Sequence, residues 1–421
     1  MQPTPTPHIL AVAYGGGHIA MLLPVLRALR AQQPAVRITL LALTTARRAA
    51  ADAGETPLGY ADLLNLLDAA ERQHALGLGR ALLPGNTHPG VSEAETVAYL
   101  GVNAWDLQQQ LGGDAAAALL ADKGRQGFYP LHFFRRVLDR LRPDLVLATN
   151  SPRSEQAALD AAAEAGIPTL ALLDLFALPG DAFAARRRHP SRVCVLSDAV
   201  RDNLIRAGWP AAAIAVTGNP AFDALHSADV AAAGRRLRAA LAAPPQHLLL
   251  LALQPEPREH PASPGVHGDP ALPQRILQHT IACVQRHADW RLLVRPHPSQ
   301  PMPALPASTQ VIAAPSTEPL HPLLHAVDVV ITGTSTVGLE AHLAGARVLQ
   351  LLDSIAAAAM PYRALGVADA ACHLSALEPT LTGLLAQPRR DAAAAPAGDA
   401  AQRVAAQALA LLAAQAEDTT P

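Results

Sequence analysis

Lysine is almost missing from this chain: Lys123 is the only one, and every other basic residue apart from histidine is arginine. A Walker-type phosphate loop needs a Gly-Lys-Ser/Thr run, which is nowhere present. A Schiff-base lysine would have to be Lys123, in a polar, glycine-flanked stretch. Both chemistries are close to excluded. Cysteine is nearly as scarce. Cys194, Cys283 and Cys372 stand far apart, with no CxxC pair and no Cys/His cluster at zinc spacing. The odd count argues against a disulfide framework and for a reducing compartment. Aromatic residues are only 3% of the chain, too few for the stacking platforms that bind single-stranded nucleic acid. The formal net charge of −2 gives no pull toward nucleic acid or an anionic membrane. No apolar run reaches the roughly 18 residues of a membrane span. Met1–Pro7 has neither the basic nor the apolar region of a signal peptide. These absences predict a cytoplasmic protein with no nucleic-acid partner, no metal site and no membrane span, peripheral membrane contact remaining open.

What is present is apolar and periodic. The chain has 421 residues, 50% of them apolar, too many for one ordinary core. Short apolar runs alternate with Ala/Leu/Arg stretches at helical spacing. His8–Ala13, Arg37–Leu43, Asp144–Thr149, Thr169–Leu173, Arg192–Leu196 and Ile214–Thr217 read as strands. Ile19–Arg30, Glu155–Ala165 and Ala199–Ala207 read as helices between them. A second series follows residue 225, with strands at His247–Leu253, Arg291–Val294, Gln310–Ala313, Asp328–Thr332 and Arg347–Leu352. Strands separated by helices imply βαβ units and a parallel sheet. The expected architecture is α/β: two doubly wound, Rossmann-like domains, 1–222 and 223–395, facing a central cleft. A helix within 396–421 would pack back on the first domain. Residues 57–130 read as helices and mobile loops, and the proline-rich stretches 255–273 and 298–306 as loops.

Ligands in such sheets bind beyond the carboxyl ends of the strands, and four motifs fall there. Gly15-Gly16-Gly17-His18 follows the first strand and opens the first helix. Its glycines let a ligand approach the backbone, and a helix N-terminus favours an anion. The helix dipole is expected to lower the pKa of His18 and keep it a neutral proton acceptor. Arg295-Pro296-His297-Pro298 follows another strand, with two prolines fixing the backbone around one histidine. Gly333-Thr334-Ser335-Thr336 joins a strand to a helix that carries Glu340. The hydroxyls can cap that helix or hold a phosphate, and Glu340 can accept both hydroxyls of a ribose. Thr217-Gly218-Asn219-Pro220 ends the first half and reads as a hinge. Asp174, at a strand end, is a further candidate base. Glu93, Glu95 and Asp181 are weaker candidates, and Arg186–His189 reads as a solvated basic face.

In this order the motifs resemble the GT-B superfamily of nucleotide-sugar enzymes. Gly15–His18 with Pro24, and Thr217–Pro220, are similar to the N-terminal loop and hinge of the glycosyltransferase that makes lipid II. The hinge is also similar to that of UDP-N-acetylglucosamine 2-epimerases. Arg295–Pro298 with Ser335-Thr336 resembles the His-Pro and Ser/Thr motifs of bacterial sialyl, Kdo and glycerophosphate transferases. The resemblance implies a transferase that moves a sugar from a UDP- or CMP-activated donor to a bacterial surface glycan or lipid-linked acceptor. It implies no cofactor and no bound metal. Gly16, Gly17, Arg295, His297, Thr334, Ser335 and Thr336 would hold the donor phosphates and Glu340 the ribose. His18 or Asp174 would deprotonate the acceptor. Two rivals are a nucleotide-sugar 2-epimerase and a non-catalytic nucleotide-sugar binding subunit, and a homodimer is left open. The third motif departs from the epimerases, which carry Asp-Ser-Gly-Gly where this chain has Gly333-Thr334-Ser335-Thr336.

Overall fold

A computed structural model describes residues 6–174, 176–241, 247–260, 263–387 and 398–418. The chain divides into two compact units, one of residues 1–221 with 399–421 and one of residues 222–398. The sequence-derived boundary at 395 lies outside the described residues.

The first unit contains β1 (His8–Tyr14), α1 (Gly15–Gln32), β2 (Arg37–Leu43) and α2 (Thr45–Asp52). There follow α3 (Ala69–Leu82), α4 (Glu93–Leu111), α5 (Gly113–Lys123), α6 (Leu131–Leu141) and β3 (Leu145–Ala148). The unit continues with α7 (Ser154–Glu164), β4 (Thr169–Leu172), β5 (Arg192–Val195), α8 (Asp198–Arg206) and β6 (Ile214–Val216). Its six strands form one parallel sheet in the order β2-β1-β3-β4-β5-β6. Ile9, Ala11 and Ala13 of β1 and Leu22, Leu26 and Leu29 of α1 share one apolar cluster. The spacing of those leucines is what makes α1 a helix with one buried face.

The stretch 57–130 is more ordered than the sequence implies. Two of its glycines sit where helices touch, rather than in loops: α3 and α4 cross at Gly79 and Gly101. A Cβ on Gly79 would overlap the Val97 carbonyl oxygen, and one on Gly101 the Ala75 carbonyl oxygen. Asp68 and Glu71 start α3 with a reciprocal capping box.

The second unit contains α9 (Ala228–Leu241), β7 (His247–Ala252), β8 (Glu259–His260), β9 (Ser263–His267) and α10 (Leu272–Val284). It continues with β10 (Trp290–Arg295), β11 (Val311–Ala313), α11 (Leu320–Ala326) and β12 (Val329–Thr332). It ends with α12 (Val337–Leu343), β13 (Arg347–Leu351), β14 (Ala370–Cys372) and α13 (Leu377–Leu385). Its parallel sheet has the order β11-β10-β7-β12-β13-β14. Leu249, Leu292, Ile331 and Leu349 supply its core from four adjacent strands. The proline-rich stretch 255–273 holds the antiparallel hairpin β8–β9 and the start of α10, so it is more than a loop. Both doubly wound parallel sheets that the alternation predicts are therefore present.

The last helix, α14 (Ala400–Asp418), belongs to the first unit. Its Ala401, Val404, Ala405 and Ala408 enter the cluster that α1 and β1 build. The Gln32 side chain at the end of α1 donates to the Gln402 carbonyl at 3.2 Å. No described helix is long and apolar enough to cross a membrane. The three cysteines are buried and unpaired.

Candidate functional site

In the first sheet the strand order turns at β1, with β2 on one side and β3 to β6 on the other. That is the switch point at which open α/β sheets leave a crevice. Three carboxyl ends meet there. β1 runs into the first turn of α1, where Gly15 takes φ 84°, a backbone conformation that side chains disfavour. Gly16 and Gly17 are exposed, with open space where a Cβ would stand. β3 runs into Thr149–Ser151 and α7, and β4 into Asp174.

The centre of this end is Glu155, in the first turn of α7 and fully buried. Its Oε1 accepts the Tyr14 N–H at 2.5 Å and the His18 Nδ1–H at 3.1 Å. Its Oε2 accepts the Thr149 hydroxyl at 2.6 Å and the Ser151 N–H at 2.7 Å. Four donors compensate the burial of the charge, as a buried carboxylate requires. The other ring nitrogen of His18, Nε2, lies 3.6 Å from Asp174 Oδ2. Asp174 Oδ1 accepts the Asn150 amide at 2.8 Å. His18 and Asp174 keep 20% and 26% of their side-chain surface exposed, whereas Glu155 keeps none.

This geometry corrects the protonation state expected of His18. Burial opposes a charged imidazole, but the nearby carboxylates of Asp174 and then Glu155 outweigh it, and the pKa is raised to about 10. The partial charge of a helix N-terminus, roughly half a unit, is the smaller influence beside two carboxylates close to the ring. His18 is therefore an imidazolium at neutral pH, with both N–H groups aimed at carboxylates. Burial would raise the Asp174 pKa, yet His18 brings it below the usual carboxylate value. Asp174 is the ionised, partly open member of the set.

Of the weaker candidates of this unit, Glu95 and Asp181 have structural partners. Glu95 is buried and accepts the N–H groups of Tyr60 and Ala61, while Glu93 opens α4 beside it. Asp181 accepts the N–H groups of Phe183 and Ala184 within a turn. Arg186 departs from the expected solvated face: it is buried against Asp160 and stacks on the Phe183 ring. Gly218, at φ 82°, lies against Ala400 of α14, and Asn219 Oδ1 accepts the Ala221 N–H at 2.9 Å. The boundary between the units follows at 221–222.

In the second sheet the order turns between β7 and β12. Gln254, just beyond β7, is the residue that shapes this end. Its Oε1 accepts the Thr334 N–H at 2.8 Å, and its amide donates to the Thr334 hydroxyl at 3.2 Å. The loop is also held by the Tyr362 hydroxyl, which donates to the Ser335 carbonyl at 2.6 Å. Ser335 Oγ accepts the Val337 N–H at 3.3 Å. The exposed Thr336 makes no side-chain capping bond. Glu340 in the first turn of α12 pairs with His321 Nε2 at 3.1 Å.

Arg295 differs from its expected role. Its guanidinium donates to the carbonyls of Pro315, Ser316 and Glu318 at 2.9–3.1 Å, with only 9% of the residue exposed. Arginine presents several donors in a planar fork, and here the fork fastens the loop between β11 and α11. His297 is left partly exposed. Its Nδ1 accepts the Ser299 N–H at 3.1 Å, which places the proton of the neutral ring on Nε2. His297 lines a cavity of about 640 Å³ together with Gln254, Arg258 and Gln300.

Sequence reasoning singled out His18, Asp174, His297 and the 333–340 stretch as candidates and passed over Glu155 and Gln254, which shape the two strand-end clusters. One signal for Glu155 was present: an acid three residues after the Ser151-Pro152 pair at a strand end, where a helix begins. Among the described residues no group of His, Cys, Asp and Glu has the arrangement to hold a metal ion.

No known protein-family profile matches the sequence, and no curated protein is similar to it in sequence. The structure does have relatives. The UDP-GlcNAc 2-epimerase of Neisseria meningitidis, solved with UDP-GlcNAc, matches with a TM-score of 0.56 at 13% identity, over 96% of this chain and 100% of that one. The UDP-GlcNAc 2-epimerase of Methanocaldococcus jannaschii matches with a TM-score of 0.56 at 12% identity, over 95% and 99%. That of Rickettsia bellii matches with a TM-score of 0.51 at 12% identity, over 98% and 97%. These likenesses establish the fold: GT-B, with two Rossmann-like units each built on a six-stranded parallel sheet.

Proposed function

We propose that this chain is a nucleotide-sugar enzyme and that its reaction is glycosyl transfer. The observation that carries the reading is the Glu155–His18–Asp174 set at the switch point of the first sheet. Asp174 Oδ2 takes the proton of the acceptor hydroxyl. His18, held cationic by Asp174 and the buried Glu155, keeps Asp174 ionised and orients it. The acceptor oxygen forms a bond to the anomeric carbon of the donor, and the bond from that carbon to phosphate breaks. The nucleotide leaves with the electron pair. The donor belongs to the second unit in this reading: His297 Nε2–H and the Ser335 and Thr336 hydroxyls meet the phosphates, and Glu340 meets the ribose. Gly16 and Gly17 open the first turn of α1 to the approach of a substrate. Charge-assisted hydrogen bonds of this kind contribute about 1.5–3 kcal/mol each. The nucleotide-sugar is a substrate, and no cofactor takes part.

The epimerase reading is favoured by the fold relatives, one of which is solved with UDP-GlcNAc. The first unit weighs against it. Inverting a sugar carbon requires proton handling on both faces of the ring. Within this set the two open groups, His18 and Asp174, lie 3.6 Å apart and so meet a substrate from one side. Glu155, the third, is saturated by four donors.

The test is calorimetric titration with UMP, UDP, CMP, CDP and GDP, repeated on His297→Ala. Binding of one pyrimidine nucleotide, weakened about tenfold in the variant, supports the reading and fixes the donor class. Absence of binding by all five overturns it.

A further inference from the structure

The cavity of about 640 Å³ that His297 lines also presents Arg258, a side chain that the donor reading leaves unused. The cavity lies between the loops that follow β7 and β10. Arg258 belongs to the first of these, just ahead of the β8–β9 hairpin. Its carbonyl accepts the Gly268 N–H at 3.1 Å, and a Cβ on Gly268 would overlap the Pro257 carbonyl oxygen. The two arms therefore touch at the base of the hairpin, and the backbone that carries Arg258 is fixed there.

The side chain itself is uncommitted. Among the described residues the Arg258 guanidinium has no ion pair and no hydrogen bond, although acids flank it in sequence. Each of those acids is engaged elsewhere. Glu256, in the cavity wall, accepts the Ile355 N–H at 2.9 Å. Glu259 accepts the Gly265 N–H at 2.8 Å, and Asp269 pairs with Arg275. The amides of Gln274 and Gln300 line the same cavity, also without partners among the described residues, and His297 adds its Nε2–H. Between these groups the wall is rigid and apolar, with Pro273, Pro296 and Pro301; proline has no N–H to offer. An uncommitted guanidinium and neutral donors set in an apolar wall suit a ring-sized ligand that carries an oxyanion.

Position relates this cavity to the donor. The neighbouring strands β10, β7 and β12 set His297 beside Gln254, and Gln254 beside Thr334. A donor held by its ribose at Glu340 and by its phosphates at Ser335, Thr336 and His297 continues into the cavity with the group attached to phosphate. We propose that the cavity receives the sugar to be transferred, and that Arg258 makes it select a sugar bearing a carboxylate. Arginine meets a carboxylate with two parallel N–H bonds, whereas a neutral sugar leaves the guanidinium unpaired. The role of this sugar as donor rests on the transfer reading above.

The test is calorimetric titration of the full chain with matched acidic and neutral donors: UDP-glucuronic acid against UDP-glucose, and CMP-N-acetylneuraminic acid against its methyl ester. UDP and CMP are titrated alongside, and the series is repeated on Arg258→Gln and Arg258→Lys. The acidic member of at least one pair should bind about tenfold tighter than its neutral partner, the effect of one charge-assisted hydrogen bond. That advantage should fall to about twofold or less in Arg258→Gln and be kept in part by Arg258→Lys, while UDP and CMP bind all three proteins alike. Arg258 is exposed, so thermal unfolding of both variants should match the wild type. The proposal is overturned if acidic and neutral donors bind alike, or if Arg258→Gln keeps the preference. It is also overturned if Arg258→Gln weakens UDP, UDP-glucose and UDP-glucuronic acid equally, which would make Arg258 a phosphate contact. In these three cases a nucleotide still binds and the transfer reading stands. Binding of no nucleotide and no nucleotide-sugar overturns both.

Discussion

The charge on His18 has a consequence for stability that can be worked through. Its pKa rises from 6.5 in the unfolded chain to about 10 in the fold. At about 1.4 kcal/mol per unit, the protonated ring stabilises the fold by roughly 5 kcal/mol, an upper figure for a group that keeps a fifth of its surface. The sign follows from linkage. A group whose pKa is raised by folding contributes fully below its unfolded pKa, and the contribution is lost as pH rises through the folded value. Unfolding free energy should therefore fall between about pH 6.5 and 10. Asp174→Asn removes the largest raising influence on His18, so it should bring the His18 titration down and narrow that window. The assay is a pH series of ¹H–¹³C imidazole spectra, His18 being identified by the signal missing in His18→Gln, alongside urea unfolding at each pH. Titration of His18 near or below 6.5 in the wild type would refute the reasoning, and so would an unchanged midpoint in Asp174→Asn.

Gly79→Ala places a methyl group against the Val97 carbonyl and should destabilise the first unit by about 1–3 kcal/mol, read as an earlier urea midpoint. Arg295→Met removes the donor to three loop carbonyls and should cost about 2–4 kcal/mol of stability. His297→Ala should change stability by less than about 0.5 kcal/mol while weakening the nucleotide, a contrast that calorimetry and thermal unfolding resolve together. The native protein should not react with a thiol reagent such as DTNB. All three cysteines are buried, and burial pushes the Cys194 thiol up to about 12; full reaction should appear only in denaturant.

What could be read from the sequence was what short-range periodicity encodes. Runs such as His247–Leu253 are apolar on both faces and can only be strands of a covered parallel sheet. Leu22, Leu26 and Leu29 repeat at the helical period. Both sheets followed from this alternation, and with them the carboxyl-end layer of each, which holds His18 and Asp174 in the first unit and His297 and Thr334 in the second. What could not be read depended on contacts across the chain. Gly79 and Gly101 look like loop residues until two helices are seen to touch at them. Glu155 lies in an alanine-rich helix, and its importance comes from Tyr14 and His18, well over one hundred residues away. Arg295 looks like a phosphate ligand by position, but a loop twenty residues later claims its guanidinium. The state of His18 was misjudged for the same reason: the dipole of its own helix is local and visible, whereas the two carboxylates that decide its charge come from α7 and from the end of β4.

The most direct test of the central claim is to incubate the protein in D₂O with UDP-sugars, with and without a pyranoside acceptor, and to follow the sugar C1 and C2 protons by NMR, with CMP release followed in parallel for CMP-sugars. Glycosyl transfer predicts nucleotide release and a new glycosidic C1 signal that depend on acceptor, with the C2 proton retained; Asp174→Asn should lose most of that turnover. Exchange of the C2 proton for deuterium without any acceptor would contradict transfer and establish epimerisation.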